Sequence, residues 1–293
     1  MADCAWYVRP AVFPSVHSEK DRGLDKPTNF SNLRVMIRGG GEMASGVAHR
    51  IFQAHLKVVM TEIPQPLCVR REVSFCEAIS QKEKTVEGVT AKYITSADEA
   101  PSVWEKGMIP LLIDPEGTFR ESLRPDVIID AILAKKNTGT RKGDAPLVIG
   151  LGPGFCAGKD VDVVIETNRG HDLGKVIYNG PAEADTGVPG AISGVTTQRV
   201  VRAPRDGRFR PEKEIGEMVE AGETVAWVED EPVTAAISGV LRGLLREGLL
   251  VQKGLKAGDV DPRGKRENCF TISEKARAIG GGVLEAILAH FNR

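Results

Sequence analysis

Two glycine-rich turns carry the groups in this sequence that could hold a ligand. The first, Gly39-Gly40-Gly41-Glu42-Met43-Ala44, follows the apolar run LRVMI, and Glu62 stands 21 residues beyond Gly41 at the end of the next apolar run. A Gly-x-Gly-x-x-Ala turn between a strand and a helix, with an acid at that distance, has the spacing of a dinucleotide site. Its glycines let backbone amides approach a pyrophosphate, the helix N-terminus favours the anion, and the acid holds ribose hydroxyls. Glu42 works against that use, because its carboxylate competes with a bound anion for the same helix end. The glycines equally serve close packing of strand on helix, with Glu42 complementing the helix dipole.

The second turn, Gly150-Leu151-Gly152-Pro153-Gly154, follows APLVI and leads through Val161–Ile165 to Glu166-Thr167-Asn168-Arg169-Gly170-His171. Arg169 offers a planar fork to phosphate or carboxylate, and His171 titrates near neutrality, so the pair suits clamping an acidic ligand or passing a proton. The bland reading is a solvated loop with an Arg169/Glu166 pair. Asp130 closes the run DVII ahead of Lys135-Lys136-Asn137, and Arg70-Arg71 follow the turn Pro64-Gln65-Pro66. Converging, these basic residues make a mouth for a phosphorylated or oxyanion ligand; scattered, they are ordinary surface charge. The candidates for catalysis are therefore His171 and Asp130. Those for binding are Gly39, Gly40, Gly41, Glu42, Met43, Glu62, Gly150, Gly152, Pro153, Gly154, Arg169, Arg70 and Arg71.

The elements that position these groups read as alternating strands and helices. LRVMI, a helix over Met43–Ala54 and the strand LKVVMTEI make a βαβ unit, whose parallel strands need such a crossover. Further strands at Met108–Ile113, Asp126–Ile129, Leu147–Ile149 and Val161–Ile165 are the β-branched runs of a doubly wound, Rossmann-like parallel sheet. Both glycine turns then lie at its carboxyl edge, where such folds bind ligands. Residues 1–32 mix prolines, aromatics and charges without a period and read as a terminal arm, which leaves 33–198 for the α/β domain.

Beyond Gln198 the sequence repeats itself at an offset of 32 residues: Gly207 with Gly239, Gly216 with Gly248, Val219 with Val251, Gly222 with Gly254 and Val228 with Val260. Two short β units of this kind predict one small flattened barrel over 199–264, resembling the biotinyl/lipoyl barrel. The hairpin that would carry the modified lysine reads Glu229-Asp230-Glu231-Pro232-Val233-Thr234 and has none, so a swinging-arm role is excluded. Residues 265–293 end in EKARAIGGGVLEAILAHF, a helix started by Ser273 and expected to return to the first domain. Three interior glycines at about 1 kcal/mol each require a break there or a very close neighbour.

Composition limits the function classes. With 39 basic against 40 acidic residues the chain has no field to hold a nucleic-acid backbone, and no apolar run reaches the length of a bilayer span. The start MADCAWYVRPAVFPSVHSEKD lacks a secretory pattern, so the cytoplasm is the expected compartment. Five cysteines, Cys4, Cys68, Cys76, Cys156 and Cys269, show neither CxxC nor Cys/His spacing, so reduced thiols and no metal site are expected, with Cys156 a small buried thiol. No HExxH, Walker lysine loop or GxSxG elbow occurs.

Taken together, RGGGEMASGVAHRIF, MTEIPQPLCVRREVSF, IDAILAKKNTGT, GLGPGFCAGKDVDVVIETNRGHDLGKVIYNG, KGLKAGDVDPRG and KARAIGGGVLEAI resemble the YqeB-like accessory family of selenium-dependent molybdenum hydroxylases, over about residues 33–293. The resemblance implies a cytoplasmic maturation factor for a xanthine-dehydrogenase-like enzyme, with the molybdenum cofactor as ligand and the hydroxylase apoenzyme and other maturation proteins as partners. A homo-oligomer is compatible with it. A polyanionic pterin cofactor would suit Arg169, Arg70, Arg71 and the glycine-loop amides. Two other readings stay open: an NAD(P)-dependent oxidoreductase, with Glu62 on the ribose and His171 moving a proton, and a non-catalytic scaffold.

Overall fold

The computed structural model describes residues 30–292. The terminal arm expected over 1–32, with Cys4, falls outside the described residues except for a short 3-10 turn at Phe30–Asn32. In chain order the first unit runs β1 (Arg34–Arg38), α1 (Glu42–Gln53), β2 (Lys57–Glu62), α2 (Ala78–Gln81), β3 (Glu83–Val86), β4 (Val89–Tyr93), α3 (Ala100–Glu105), β5 (Ile109–Ile113), α4 (Arg120–Leu123), β6 (Val127–Asp130), β7 (Leu147–Leu151), β8 (Cys156–Ala157), β9 (Val163–Ile165), β10 (Val176–Ile177) and β11 (Gly180–Pro181). The second runs β12 (Val200–Arg202), β13 (Gly207–Pro211), β14 (Met218–Val219), β15 (Thr224–Val228), β16 (Glu231–Thr234), β17 (Gly239–Leu244), β18 (Leu250–Val251) and β19 (Lys256–Asp261), and the described chain closes with α5 (Glu274–Phe291).

The βαβ unit at the first glycine turn forms as its apolar spacing dictates, with Val35–Arg38 of β1 parallel to β2 on one side and to β6 on the other. The sheet as a whole is not the doubly wound parallel one expected. It has nine strands in the order β10-β9-β7-β6-β1-β2-β5-β4-β3 and is mixed, because β3 pairs antiparallel with β4 at one edge and β10 with β9 at the other. Nor do helices alternate with strands throughout. The chain from β6 to β7 and from β7 to β9 runs in loops and short strands, and α5, from the far end of the sequence, packs against β7, β9 and β10.

The lipoyl-like barrel is likewise corrected. Residues 200–261 form two separate four-stranded antiparallel sheets, β12-β19-β17-β14 and β16-β15-β13-β18. The repeat itself is real: Gly207 pairs with Val251, and 32 residues on Gly239 pairs with Val219, so each repeat lends a two-residue strand to the other. Closure would need pairing between the edge strands β12, β14, β16 and β18 of the two sheets, and each of these ends its own sheet. A shared core that includes Phe209, Val225, Val240, Leu244 and Val260 lies between the sheets instead.

The terminal helix is unbroken across Gly280-Gly281-Gly282. It packs on α1, and Ala276, Ile279, Val283 and Ile287 join the core of the first unit. Gly46 permits this approach, since a Cβ there would lie 2.6 Å from the Cβ of Ala276. No helix among the described residues is long and apolar enough to cross a membrane.

Candidate functional site

The carboxyl edge of the nine-stranded sheet faces the β sandwich, and two adjoining cavities lie at that junction. The larger, of about 480 Å³, is lined by Glu42 and Met43 of α1, Pro153 of the second glycine turn, Thr167, Asn168 and Arg169 after β9, and residues 183–190. Arg199, Arg202, Arg242 and Lys256 reach it from the sandwich side and Ser273 and Lys275 from the start of α5. The smaller, of about 470 Å³, is lined by Gly39, Gly41, Glu62, Cys68 and Ile132, and shares Glu42, Met43, Arg70, Leu133 and Lys256 with the first. Both glycine turns thus contribute residues to one site, as do Arg70 and Arg169.

Electrostatics give the larger cavity its character. Eight lining residues are basic and four are acidic. Several cations are paired: Arg169 with Glu274, Arg199 with Asp259, and Lys135 with Asp185 at 2.6 Å. Arg70 is not satisfied in this way. It is buried at 4% exposure, and one of its terminal nitrogens donates to the Asn268 carbonyl at 3.0 Å. Its Nε and Nη1 have no hydrogen-bond partner, and Glu42 stands 3.8 Å from Nη1. Arg242, also buried, lies 3.9 Å from the same carboxylate and 3.8 Å from Asp261. The Lys275 side chain makes no hydrogen bond or ion pair among the described residues. Burial, then the neighbouring positive charge of Arg169, pulls its pKa below the usual lysine range despite Glu42. Burial pushes the Glu42 carboxyl up, but Arg70, Arg242, the Ser273 hydroxyl and Lys256 outweigh it and hold the group below the ordinary carboxylate range.

Other sequence candidates have structural duties. Glu62 accepts the Gly40 amide at 2.7 Å with one oxygen and the Ile63 amide at 2.7 Å with the other. Burial nevertheless raises its pKa, against those two bonds. The amide expected to meet a pyrophosphate and the acid expected to hold ribose are thus bound to each other, while Glu42 occupies the helix N-terminus. Gly39 and Gly40 are explained by packing: a Cβ on Gly39 would lie 2.9 Å from the Ala131 carbonyl oxygen, and one on Gly40 3.0 Å from the Cys76 Cβ. The second turn is similar, with Gly150 against the Phe155 ring, Gly152 against the Thr167 hydroxyl and Gly154 against the Lys136 backbone.

Asp130 is buried and accepts from the Thr140 hydroxyl at 2.6 Å and the Ile132 amide at 3.2 Å, with Arg38 3.5 Å away. It faces neither cavity. His171 is exposed and also lines neither. Arg71 reaches across to the sandwich, donating to the Leu244 carbonyl at 2.7 Å, and belongs to the interface between the units. Glu166 accepts three backbone amides, from Thr167, Asn168 and Glu183, each at 2.7 Å, so it shapes the loop over the cavity and does not pair with Arg169.

Sequence reasoning passed over Arg199, Arg242, Lys256 and Lys275. One signal was present: Arg242 interrupts GVLRGL, a strand buried at every position, and Asp259 and Asp261 interrupt the buried strand KAGDVD. Charges inside an otherwise apolar strand must be paired or must serve a ligand.

No family model matches the chain. It is similar to "Uncharacterized protein YqeB" of Escherichia coli (strain K12), with 51% identity over 264 residues, which takes in 90% of this chain and 49% of that protein. Among solved structures it aligns with an aspartoacylase family protein from Mesorhizobium loti MAFF303099 at 10% identity and a TM-score of 0.25, over 78% of this chain and 84% of that one. A succinylglutamate desuccinylase/aspartoacylase from Rhodobacter sphaeroides aligns at 18% identity and a TM-score of 0.25, over 78% and 85%. Over most of its length the chain is thus similar to YqeB, and it spans about half the length of that relative.

Proposed function

We propose that this chain is an accessory protein in the maturation of a selenium-dependent molybdenum hydroxylase, and that it binds the phosphorylated pterin cofactor as a polyanion in the larger cavity. The observation that carries the reading is Arg70: a buried guanidinium with two unsatisfied nitrogens, on the wall of a cavity with a surplus of positive charge. Glu42 stands 3.8 Å from Arg70 but is shared with Arg242 and makes no hydrogen bond to the unsatisfied nitrogens, so a polar demand remains that a phosphate can meet, and a guanidinium fork matches phosphate. The residues present fit the group: Arg70, Arg242 and Lys275 would hold phosphate, and Met43, Leu133 and Pro153 offer apolar wall to a flat ring. When bound, the cofactor would supply the metal chemistry of the partner enzyme; the chain's own residues bind and orient it. The likeness to YqeB supports the sequence resemblance alone; the maturation role is our reading of that resemblance and of the cavity.

The dinucleotide alternative is disfavoured by the closed Glu62–Gly40 pair. The test is a thermal shift with the purified full chain against molybdopterin, NAD, NADP and ATP. Stabilisation by a ligand at a hundredfold excess over its Kd is about 2.7 kcal/mol. Molybdopterin should stabilise the wild type, and Lys275→Gln, which breaks no pair in the fold, should weaken the effect. Stabilisation by NAD or NADP alone would return the site to an oxidoreductase; none by any of the four would leave the scaffold.

A further inference from the structure

Cys68 and Cys76 flank the segment that carries Arg70, and the chain turns back between them through a 3-10 turn at Arg71–Val73 and another at Phe75–Glu77, so that Cys68 lies beside Ser74, two residues before Cys76. Cys68 Sγ donates to Ser74 Oγ at 2.9 Å and Ser74 Oγ donates to the Arg70 carbonyl at 2.8 Å, which sets the two cysteine side chains near enough for each to be the main influence on the other's titration. Their surroundings differ. Cys68 is half-buried and lines the smaller cavity, whereas Cys76 is buried behind it, with its amide donating to the Gly40 carbonyl at 2.9 Å. An accessible thiol beside a shielded one is the arrangement of an attacking and a resolving cysteine.

We propose that Cys68 and Cys76 form a redox-active dithiol that exchanges with a small-molecule disulfide entering the smaller cavity. In the first step the Cys68 thiolate attacks one sulfur of the disulfide RSSR. The S–S bond breaks, one RS⁻ leaves and takes up the proton that Cys68 gave up, and a mixed disulfide Cys68–S–S–R remains. In the second, Cys76 loses its proton and attacks the Cys68 sulfur, forming the intramolecular disulfide and expelling the other RS⁻, which leaves as RSH. Two protein thiols are oxidised to one disulfide and RSSR is reduced to two RSH. The order of attack follows from the pair itself. The neighbouring Cys76 holds the Cys68 thiol below its usual range, against burial, while Cys68 and burial lift Cys76 well above its own.

The other described thiols are controls. Cys156 Sγ has only the Ala157 carbonyl near it, at 3.9 Å, and Cys269 is buried in the sandwich core. The experiment incubates the reduced full chain with oxidised glutathione near neutral pH, traps remaining thiols by alkylation, and maps peptides by mass. Expected is a Cys68–Cys76 cross-linked peptide, lighter than the reduced form by two hydrogens, with no glutathione retained. Cys76→Ser should instead hold glutathione on Cys68, and Cys68→Ser should leave Cys76 unmodified or at least about tenfold slower to react. The proposal is overturned if the wild type shows no Cys68–Cys76 link, if glutathione stays on wild-type Cys68, or if Cys76 reacts as fast in Cys68→Ser. The wild-type map decides the matter even where a variant fails to fold.

Discussion

Gly281→Ala and Gly282→Ala are the same chemical change at adjacent positions of α5, and the packing requires them to act in opposite directions. A Cβ at Gly281 would have nothing within 4 Å, whereas one at Gly282 would lie 2.1 Å from the Gly174 carbonyl oxygen and 3.2 Å from Ile165 Cγ2. Gly174 cannot readily retreat. Its amide donates to the Glu166 carbonyl at 2.9 Å, its φ is +86°, and a Cβ on it would in turn meet the Ala278 carbonyl oxygen at 2.7 Å. Alanine in a helix interior is favoured over glycine by about 1 kcal/mol, which both variants gain. Gly281→Ala keeps that gain and should be more stable by about 0.5–1 kcal/mol. Gly282→Ala must also displace backbone, an overpacking cost that the 2.1 Å approach puts at about 2–3 kcal/mol, and should be less stable by about 1–2 kcal/mol. Gly280 is intermediate, with Arg50 Cβ at 3.2 Å and the Gly46 carbonyl oxygen at 3.3 Å, so Gly280→Ala should be near neutral. Thermal unfolding of the full chain reads these at about 2–4 °C per kcal/mol. A Gly282→Ala variant that melts at or above the wild type, or a Gly281→Ala variant that melts clearly below it, would refute the close approach of α5 to the loop before β10.

Glu42→Gln removes the carboxylate between Arg70 and Arg242 and should cost about 1–3 kcal/mol at neutral pH. Because the folded-state pKa of Glu42 is lowered, its contribution is present above the unfolded value and lost as pH falls through the folded one, so wild-type and variant stabilities should converge in acid. Glu87 accepts from Arg277 at 2.7 and 2.8 Å and from the Ile272 amide at 2.9 Å, joining the β3–β4 turn to α5; Glu87→Gln should cost about 0.5–1.5 kcal/mol, also fading in acid, in the same melts. Lys275 binds an anion only while protonated and its pKa is lowered, so affinity for a phosphorylated ligand should fall as pH rises through that value, and Lys275→Gln should flatten the dependence in calorimetric titration.

How much of the fold was legible depended on whether the deciding contacts were local. The strand, turn and helix from Arg34 to Gln53 announce themselves, because β-branched residues, glycines and helical spacing act within a few neighbours. The hairpin β3–β4, which makes the sheet mixed, has too few apolar residues to show a period, and its Glu83 and Thr85 are exposed at the edge of the sheet. The 32-residue repeat showed that the two halves of the sandwich are alike, as the pairs Gly207–Val251 and Gly239–Val219 bear out. It could not say that the sheets end at β12, β14, β16 and β18, since sheet closure is decided by pairings between residues far apart in sequence. The continuity of α5 was illegible for the same reason: propensity argues for a break at three glycines, and only the presence of Gly46 and Gly174 against them argues for a close approach.

The site shows the limit more sharply. Its first half, Glu42, Met43, Pro153 and Arg169, was visible because each sits beside a glycine turn at the end of a strand. Its second half, Arg199, Arg242, Lys256 and Lys275, comes from the sandwich and α5, more than 130 residues beyond Glu42 in sequence. Of the glycines that advertised the loops, Gly39, Gly40, Gly150, Gly152 and Gly154 are closed by packing and Gly41 alone stands open on the smaller cavity, so the turns mark the place while side chains supply most of the binding groups. Those are side-chain cations, and their arrangement carries a cost. Leaving a buried polar group unsatisfied costs about 1–3 kcal/mol, and more when it is charged. The buried arginines Arg38 and Arg199 avoid that cost by pairing with Asp130 and Asp259. A residue of glutamine or methionine type at position 70 would relieve the penalty with nearly the same bulk. That a guanidinium stands there, on the wall of two cavities with two nitrogens short of hydrogen bonds, favours a ligand that brings its own negative charge, and it predicts that Arg70→Met loses ligand-dependent stabilisation, while the unliganded variant, which leaves Glu42 to Arg242 alone and gives up the bond to Asn268, melts below the wild type by no more than Glu42→Gln does.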